Sequence, residues 1–83
     1  MLVEMALNIN PMQTIYMPLL NEGVVVSRPI QAEALGAGRY KVLPTKNYDP
    51  SLEEWLFPPS TIVECRLEML DGKYVLEAFR KVD

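Results

Sequence analysis

The sequence predicts a single all-β domain, a small five-stranded, half-open barrel of the SH3-like type. Short segments in which apolar and polar residues alternate recur along the 83 residues, with Gly-containing turns between them. One β-branched segment, residues 24–35, is too long for a straight strand in so short a chain and contains Arg28-Pro29. Because 83 residues hold one domain, the strands must close on one another. An OB-type barrel is the alternative.

The first strand is predicted over residues 13–19, with Ile15, Met17 and Leu19 on one face. Residues 21–23 then form a short connection in which Gly23 takes the left-handed conformation. Residues 1–11 are expected to be an N-terminal arm, ahead of a barrel domain over residues 12–83. The segment lacks the basic leader and cleavage site of a signal peptide.

Residues 24–35 are predicted as a long second strand that bends at Arg28-Pro29. Proline cannot donate to a ladder, so Pro29 belongs at an edge, a bend or a bulge, and we interpret it as the barrel corner. Arg28 then reaches the rim, where we expect its charge to pair with a carboxylate such as Glu33 or Glu64. The residues expected to face the core are Val24 and Val26 before the bend, and Ile30, Ala32 and Ala34 after it.

Gly36-Ala37-Gly38 turns the chain into a third strand over residues 39–43. The strongest local signal comes later, where two alternating segments flank Asp71-Gly72, the typical sequence of a type I′ hairpin turn. We expect residues 61–70 and 73–82 to form this hairpin. Its predicted inward row is Val63, Cys65, Leu67 and Met69, with Glu64, Arg66 and Glu68 in water.

The connection over residues 44–60 has room for one or two helical turns. Asp49 is a suitable N-cap, Pro50 suits the first helical position, and Ser51 to Glu54 matches a capping box. Pro58-Pro59 then ends any helical turn that begins in this connection. Glu53 and Glu54 are adjacent, so we interpret them as a solvated face rather than as a catalytic pair.

The composition argues against catalysis. The chain has no His, which removes the commonest general base, and no nucleotide-binding glycine motif. With one Cys, Cys65, we expect neither a disulfide framework nor a metal site, and Cys65 itself is interpreted as a buried, inert thiol. We therefore expect a non-enzyme without cofactors, and the lone cysteine favours a reducing cytoplasm. No segment is apolar enough to span a membrane as a helix, so no membrane partner is expected.

Aromatic residues concentrate in the 44–60 connection. Trp55 and Phe57 are costly to leave in water, so they can cover one end of the barrel, or they can form a contact surface for a partner. Both hold if Trp55 fills the core while Tyr48 and Phe57 stay at the rim. Trp, Tyr and Arg dominate interface hot spots. The predicted partner-binding residues are Arg28, Tyr48, Trp55 and Phe57.

The partner predicted for this surface is another protein or a second copy of the chain. Nucleic acid is the alternative, with Arg39, Tyr40 and Lys41 as a basic-aromatic strand. The net charge of −3 disfavours it, because an acidic protein repels phosphates.

Two segments carry a resemblance: YMPLLNEGVVVSRPIQAEALGAGRYKVL (residues 16–43) and EEWLFPPSTIVECR (residues 53–66). Together they resemble a family of small uncharacterised bacterial proteins with an RP-x-x-AE-x-LG-x-GxY motif and an EEW-x-FPP motif. The chain departs from that pattern at Ser60, which follows Pro59 where a glycine is usual, and at Ser27, where an aromatic residue often precedes Arg-Pro. The resemblance implies a bacterial source and no particular activity.

Overall fold

A computed structural model describes residues 10–82, and the predicted arm over residues 1–11 falls largely outside them. Six strands make up the described chain: β1 (Met12–Leu20), β2 (Ser27–Gly36), β3 (Arg39–Val42), β4 (Glu54–Trp55), β5 (Ile62–Leu70) and β6 (Lys73–Lys81).

Five of the strands form a ring in the order β1-β2-β3-β5-β6, and β6 returns to β1. Successive strands pair antiparallel, so in a ring with an odd number of strands the last pair must be parallel. The pair Tyr16–Glu77 between β1 and β6 is indeed parallel. The short strand β4 adds to the free side of β1 at Leu19 and Leu20. The all-β, barrel-like prediction is therefore confirmed, and the ring follows chain order rather than a Greek key.

The core lies inside this ring. Every ring strand contributes to it, and so does β4, because alternate residues of each strand face inward. The side chains that are almost wholly removed from solvent are Ile15, Met17, Ile30, Ala32, Val42, Trp55, Val63 and Ala78. Among residues 10–82, no buried polar side-chain atom lacks a hydrogen-bond partner.

The connection between β1 and β2 is longer than predicted. Val24 to Val26 precede β2 instead of opening it, and Val25 is 99% exposed. The prediction that Val24 and Val26 face the core before a bend is wrong for Val24, which is exposed, and Val26 is half-buried outside the strand. β-Branched composition favours a strand, but nothing among residues 10–82 packs over the side chains of Val24 and Val25. Gly23 is left-handed as expected, with φ 78°.

Arg28-Pro29 is not the barrel corner. Both residues lie in a regular ladder, where Pro29 is opposite Tyr16 of β1. The Leu19 amide donates to the carbonyl of Val26, the residue opposite it in the same register. Hydrogen-bonded and non-hydrogen-bonded pairs alternate along an antiparallel ladder, so Tyr16–Pro29, three positions away, is a non-hydrogen-bonded pair. The proline nitrogen therefore points to the outer edge of β2, where β3 does not pair with it. Its edge position is confirmed, and the irregularity of β2 lies farther on, between Ala34 and Gly36.

The Asp71-Gly72 hairpin is confirmed, with φ 49° and 82° at the two turn residues. Its inward row is only half right. Val63 is fully buried and Cys65 packs against the core, but Leu67 is 66% exposed. Past Glu64, β5 has left β3 and pairs only with β6. The outer half of the hairpin thus extends beyond the core. Apolar and polar residues still alternate there, but the apolar side chains stay mostly in solvent.

The 44–60 connection contains several turns and no regular helix, and the predicted helical segment is a single turn that begins at Asp49. The Glu53 and Leu52 amides both donate to the Asp49 carbonyl, at 3.1 and 3.0 Å. The Asp49 carboxylate accepts from the Ser51 amide at 2.9 Å, as an N-cap does. The Ser51 hydroxyl also donates to Asp49, so the predicted Ser51–Glu54 capping box does not form. Two more residues then enter β4 instead of extending the turn.

Candidate partner-binding site

An open pocket of about 480 Å³ lies where the start of β2 meets the 44–60 connection. Arg28 provides one wall, and the turn around Asp49 provides the rest. Leu52, at the edge, is 81% exposed. The lining residues are Arg28, Thr45, Lys46, Asn47, Tyr48, Asp49, Leu52 and Glu53.

A chain of three side chains fixes the position of Arg28. Trp55 is only 3% exposed, and its indole N–H donates to Glu53 Oε1 at 2.9 Å. The same oxygen forms an ion pair with Arg28 Nε at 2.7 Å. Because a buried aromatic ring holds the carboxylate and the carboxylate holds the guanidinium, Arg28 is positioned before any partner arrives. The predicted pairing of Arg28 with a carboxylate is confirmed, but the partner is Glu53 and neither Glu33 nor Glu64.

Tyr48 connects the pocket to the core. Its ring packs edge-on against Trp55, with centroids 4.6 Å apart, a favourable aromatic arrangement. One side of Tyr48 thus contacts the core while the residue also lines the pocket. Phe57 is half-buried against the core but does not line the pocket.

The two carboxylates of the pocket are already engaged inside the protein. Arg28 above all, and then the Trp55 N–H, hold the pKa of the Glu53 carboxyl below its usual value, against the opposing effect of partial burial. The Ser51 hydroxyl and amide likewise lower the pKa of Asp49. Both groups are therefore stabilised as anions at neutral pH.

Three of the four predicted partner-binding residues are brought together at this pocket, but in different roles. Arg28 and Tyr48 line it, whereas Trp55 supports it from the core and is too buried to contact a partner. Sequence reasoning missed Glu53, Lys46 and Leu52. The Asp49-Pro50 turn signal places these residues on one short loop, but nothing local in the sequence indicates that the loop folds against Arg28.

The alternative nucleic-acid residues do not form one surface. Tyr40 packs against the core, while Arg39 and Lys41 are on the opposite face of β3. Their ladder neighbours on that face include Glu64 beside Arg39 and Glu33 beside Lys41. The two cations therefore lie next to carboxylates and lack a stacking aromatic ring.

Cys65 is half-buried, and burial raises the pKa of its thiol to about 11. At neutral pH it is protonated and a poor nucleophile. Within residues 10–82, His, Cys, Asp and Glu side chains nowhere gather in threes as a metal site requires. No helix in that range is long and apolar enough to cross a membrane.

No protein-family model matches the chain, and comparisons with curated proteins and with solved structures also find no match.

Proposed function

We propose that this protein is a non-catalytic interaction module that binds a protein partner, or a second copy of itself, through the pocket formed by Arg28 and residues 45–53. The observation that carries the proposal is the Trp55–Glu53–Arg28 chain. It immobilises a long cationic side chain at the edge of an open pocket, next to an exposed Leu52. Arginine and aromatic residues in such settings are the usual hot spots of interfaces.

The alternative proposal remains a nucleic-acid-binding barrel that uses Arg39, Tyr40 and Lys41. The separation of Tyr40 from the two cations weighs against it. We further propose a cytoplasmic bacterial protein with an SH3-like barrel. The lone cysteine and the motif resemblance support the former, and a ring in chain order supports the latter over the Greek-key OB type.

Capture of partners from a native lysate tests the proposal. Arg28→Ala is expected to lose the bound protein, since it removes the positioned guanidinium but leaves the Trp55–Glu53 contact. Arg39→Ala is the matched control, because it removes an exposed arginine from another face. Trp55→Ala is unsuitable, because loss of a buried Trp costs about 3–5 kcal/mol and threatens the fold.

Circular dichroism establishes that both variants are folded. Loss of capture with Arg28→Ala alone supports the proposal. A captured set that is the same for wild type and Arg28→Ala contradicts it, and loss with Arg39→Ala alone favours the nucleic-acid alternative.

A further inference from the structure

The pocket contains two cationic side chains with hydrogen-bond donors that residues 10–82 leave unused. Arg28 contacts Glu53 through Nε, and its two terminal amino groups donate no hydrogen bond to residues 10–82. Lys46 forms no ion pair in that same range and lines the pocket beside it. Thr45, Asn47 and Tyr48 add hydroxyl and amide groups, which can donate or accept and form no side-chain hydrogen bond within residues 10–82.

The carboxylates of the pocket are each engaged through one oxygen atom. One oxygen of Glu53 takes both the Trp55 and Arg28 contacts, and one oxygen of Asp49 takes both contacts from Ser51. Each carboxylate thus shares its charge with groups of this chain. The two cations differ from them: Arg28 keeps the planar pair of N–H groups that fits a carboxylate bidentately, and Lys46 keeps its whole ammonium group.

We infer that the pocket recognises a carboxylate side chain of a protein segment, held between the terminal guanidinium nitrogens of Arg28 and the ammonium group of Lys46, with an apolar neighbour packed on Leu52. The inference rests on the proposed function and names the partner's chemistry. Leu52 supplies the apolar contact because it stands almost fully in solvent at the edge of the pocket.

A peptide segment with one carboxylate satisfies this arrangement better than a nucleic acid does. The protein carries a net charge of −3, and the pocket itself contains two cations and two carboxylates. A polyanion therefore forms favourable contacts through one phosphate, while its other phosphates are repelled by the acidic protein. A single carboxylate with an apolar neighbour meets the cations without bringing further negative charge.

In the test, the full chain is titrated with a capped peptide that has a central Glu-Leu pair. A parallel titration uses the same peptide with Gln in place of Glu. Amide NMR shifts locate the binding, and emission of the single Trp reports on the pocket, since Trp55 contacts both Glu53 and Tyr48. We expect shifts at residue 28 and residues 45–53, and about tenfold weaker binding of the Gln analogue. Raising the salt concentration should weaken the binding of the Glu peptide more than the binding of the Gln analogue.

Two exposed lysines provide matched variants. Lys46→Gln is expected to weaken binding of the Glu peptide roughly fivefold or more, whereas Lys73→Gln, at the hairpin tip, leaves it unchanged. Both substitutions lie at exposed positions, so the fold tolerates them. Arg28→Lys retains the charge but loses the bidentate geometry, and it should also weaken binding.

The results separate this inference from the proposed function. Equal binding of the Glu and Gln peptides, or shifts confined to other surfaces, overturns the carboxylate inference. So does an oligonucleotide that binds the pocket more tightly than the Glu peptide. If lysate capture still depends on Arg28 in such a case, the proposed function stands without its carboxylate; if capture is also independent of Arg28, both fall.

Discussion

Ser60 occupies a backbone conformation that suits glycine. Its φ is 79°, and the Thr61 amide donates to the Pro58 carbonyl at 3.2 Å, so residues 58–61 form a turn with proline second and a left-handed residue third. That arrangement is typical of a type II turn, in which glycine is preferred at the third position. A side chain with a Cβ atom is strained there.

We expect Ser60→Gly to raise the free energy of unfolding by about 0.5–1 kcal/mol, because relief of the left-handed strain exceeds the added flexibility of the unfolded chain. Urea denaturation followed by circular dichroism measures it. Thr61→Gly, one residue along and without a positive φ, is the control and should destabilise. A Ser60→Gly protein less stable than wild type would show that the turn is not strained.

Glu53 is the residue on which the candidate site depends. Its carboxyl pKa lies below the ordinary value of 4.5, chiefly because of Arg28. A group whose pKa is lower in the folded than in the unfolded state stabilises the fold above the unfolded value, and this contribution is lost as the pH falls through the folded value.

Glu53→Gln is therefore expected to lower the melting temperature at pH 7, and the difference from wild type should shrink as the pH falls below about 4. Thermal melts at a series of pH values test this. Glu54→Gln, the adjacent exposed carboxyl without an arginine contact, serves as the control and should change the melting temperature little at pH 7. A difference for Glu53→Gln that stays constant down to pH 3 would exclude the ionised carboxylate as its source.

At the scale of the element, β5 shows how one alternating pattern has two outcomes. Its first half lies between β3 and β6 and turns Val63 into the core. Its second half pairs only with β6, and Leu67 and Met69 stay exposed on the same face. The Arg66 guanidinium lies 5.1 Å from the Phe79 ring centroid on the other face, so that face of the hairpin has its own contact.

Two substitutions in this strand distinguish the halves. Val63→Ala should cost about 2 kcal/mol, because it leaves a cavity at a fully buried position. Leu67→Ala removes more atoms but should change stability by less than about 0.5 kcal/mol, since its side chain is mostly in water. Denaturant unfolding of both variants provides the comparison. Equal losses would mean that the hairpin face is covered in solution.

At the scale of the whole molecule, the ring and the 44–60 connection form one packed unit. Trp55 enters the core from β4, which pairs with β1, and the Leu56 amide donates to the Pro18 carbonyl at 2.9 Å. The ring supplies the other core residues. A domain of this size has a small stability margin, so removal of either part exposes much of the core.

We therefore expect one cooperative transition. Trp emission, which reports on the connection, and far-ultraviolet circular dichroism, which reports on the strands, should give the same midpoint in urea. An earlier transition in emission would show that the connection detaches from an intact barrel. That outcome would also weaken the proposed site, whose geometry depends on Trp55 staying in place.

Features of the fold that depend on neighbouring residues can be predicted from the sequence. Asp71-Gly72 specifies its hairpin because a type I′ turn needs two left-handed residues, and Asp49 caps its turn with its own side chain. The inward faces of β1 and of β2 after Pro29 follow from alternation alone. The missing N–H group of Pro29 predicts an edge, a bend or a bulge, and of these three the fold takes the edge.

Contacts between side chains that are distant in sequence depend on the three-dimensional fold and could not be predicted. Val24 and Leu67 have the pattern of buried residues but extend past the ring, because burial depends on what lies opposite rather than on alternation. Arg28 pairs with Glu53 and not with Glu33, although Glu33 is much nearer to it in sequence. The reason is that the Asp49 turn and the burial of Trp55 bring the Oε1 atom of Glu53 to the guanidinium. Nothing in the local sequence indicates that Arg28 and Glu53 lie close together. Their contact depends on how the 17-residue connection over residues 44–60 folds against the barrel.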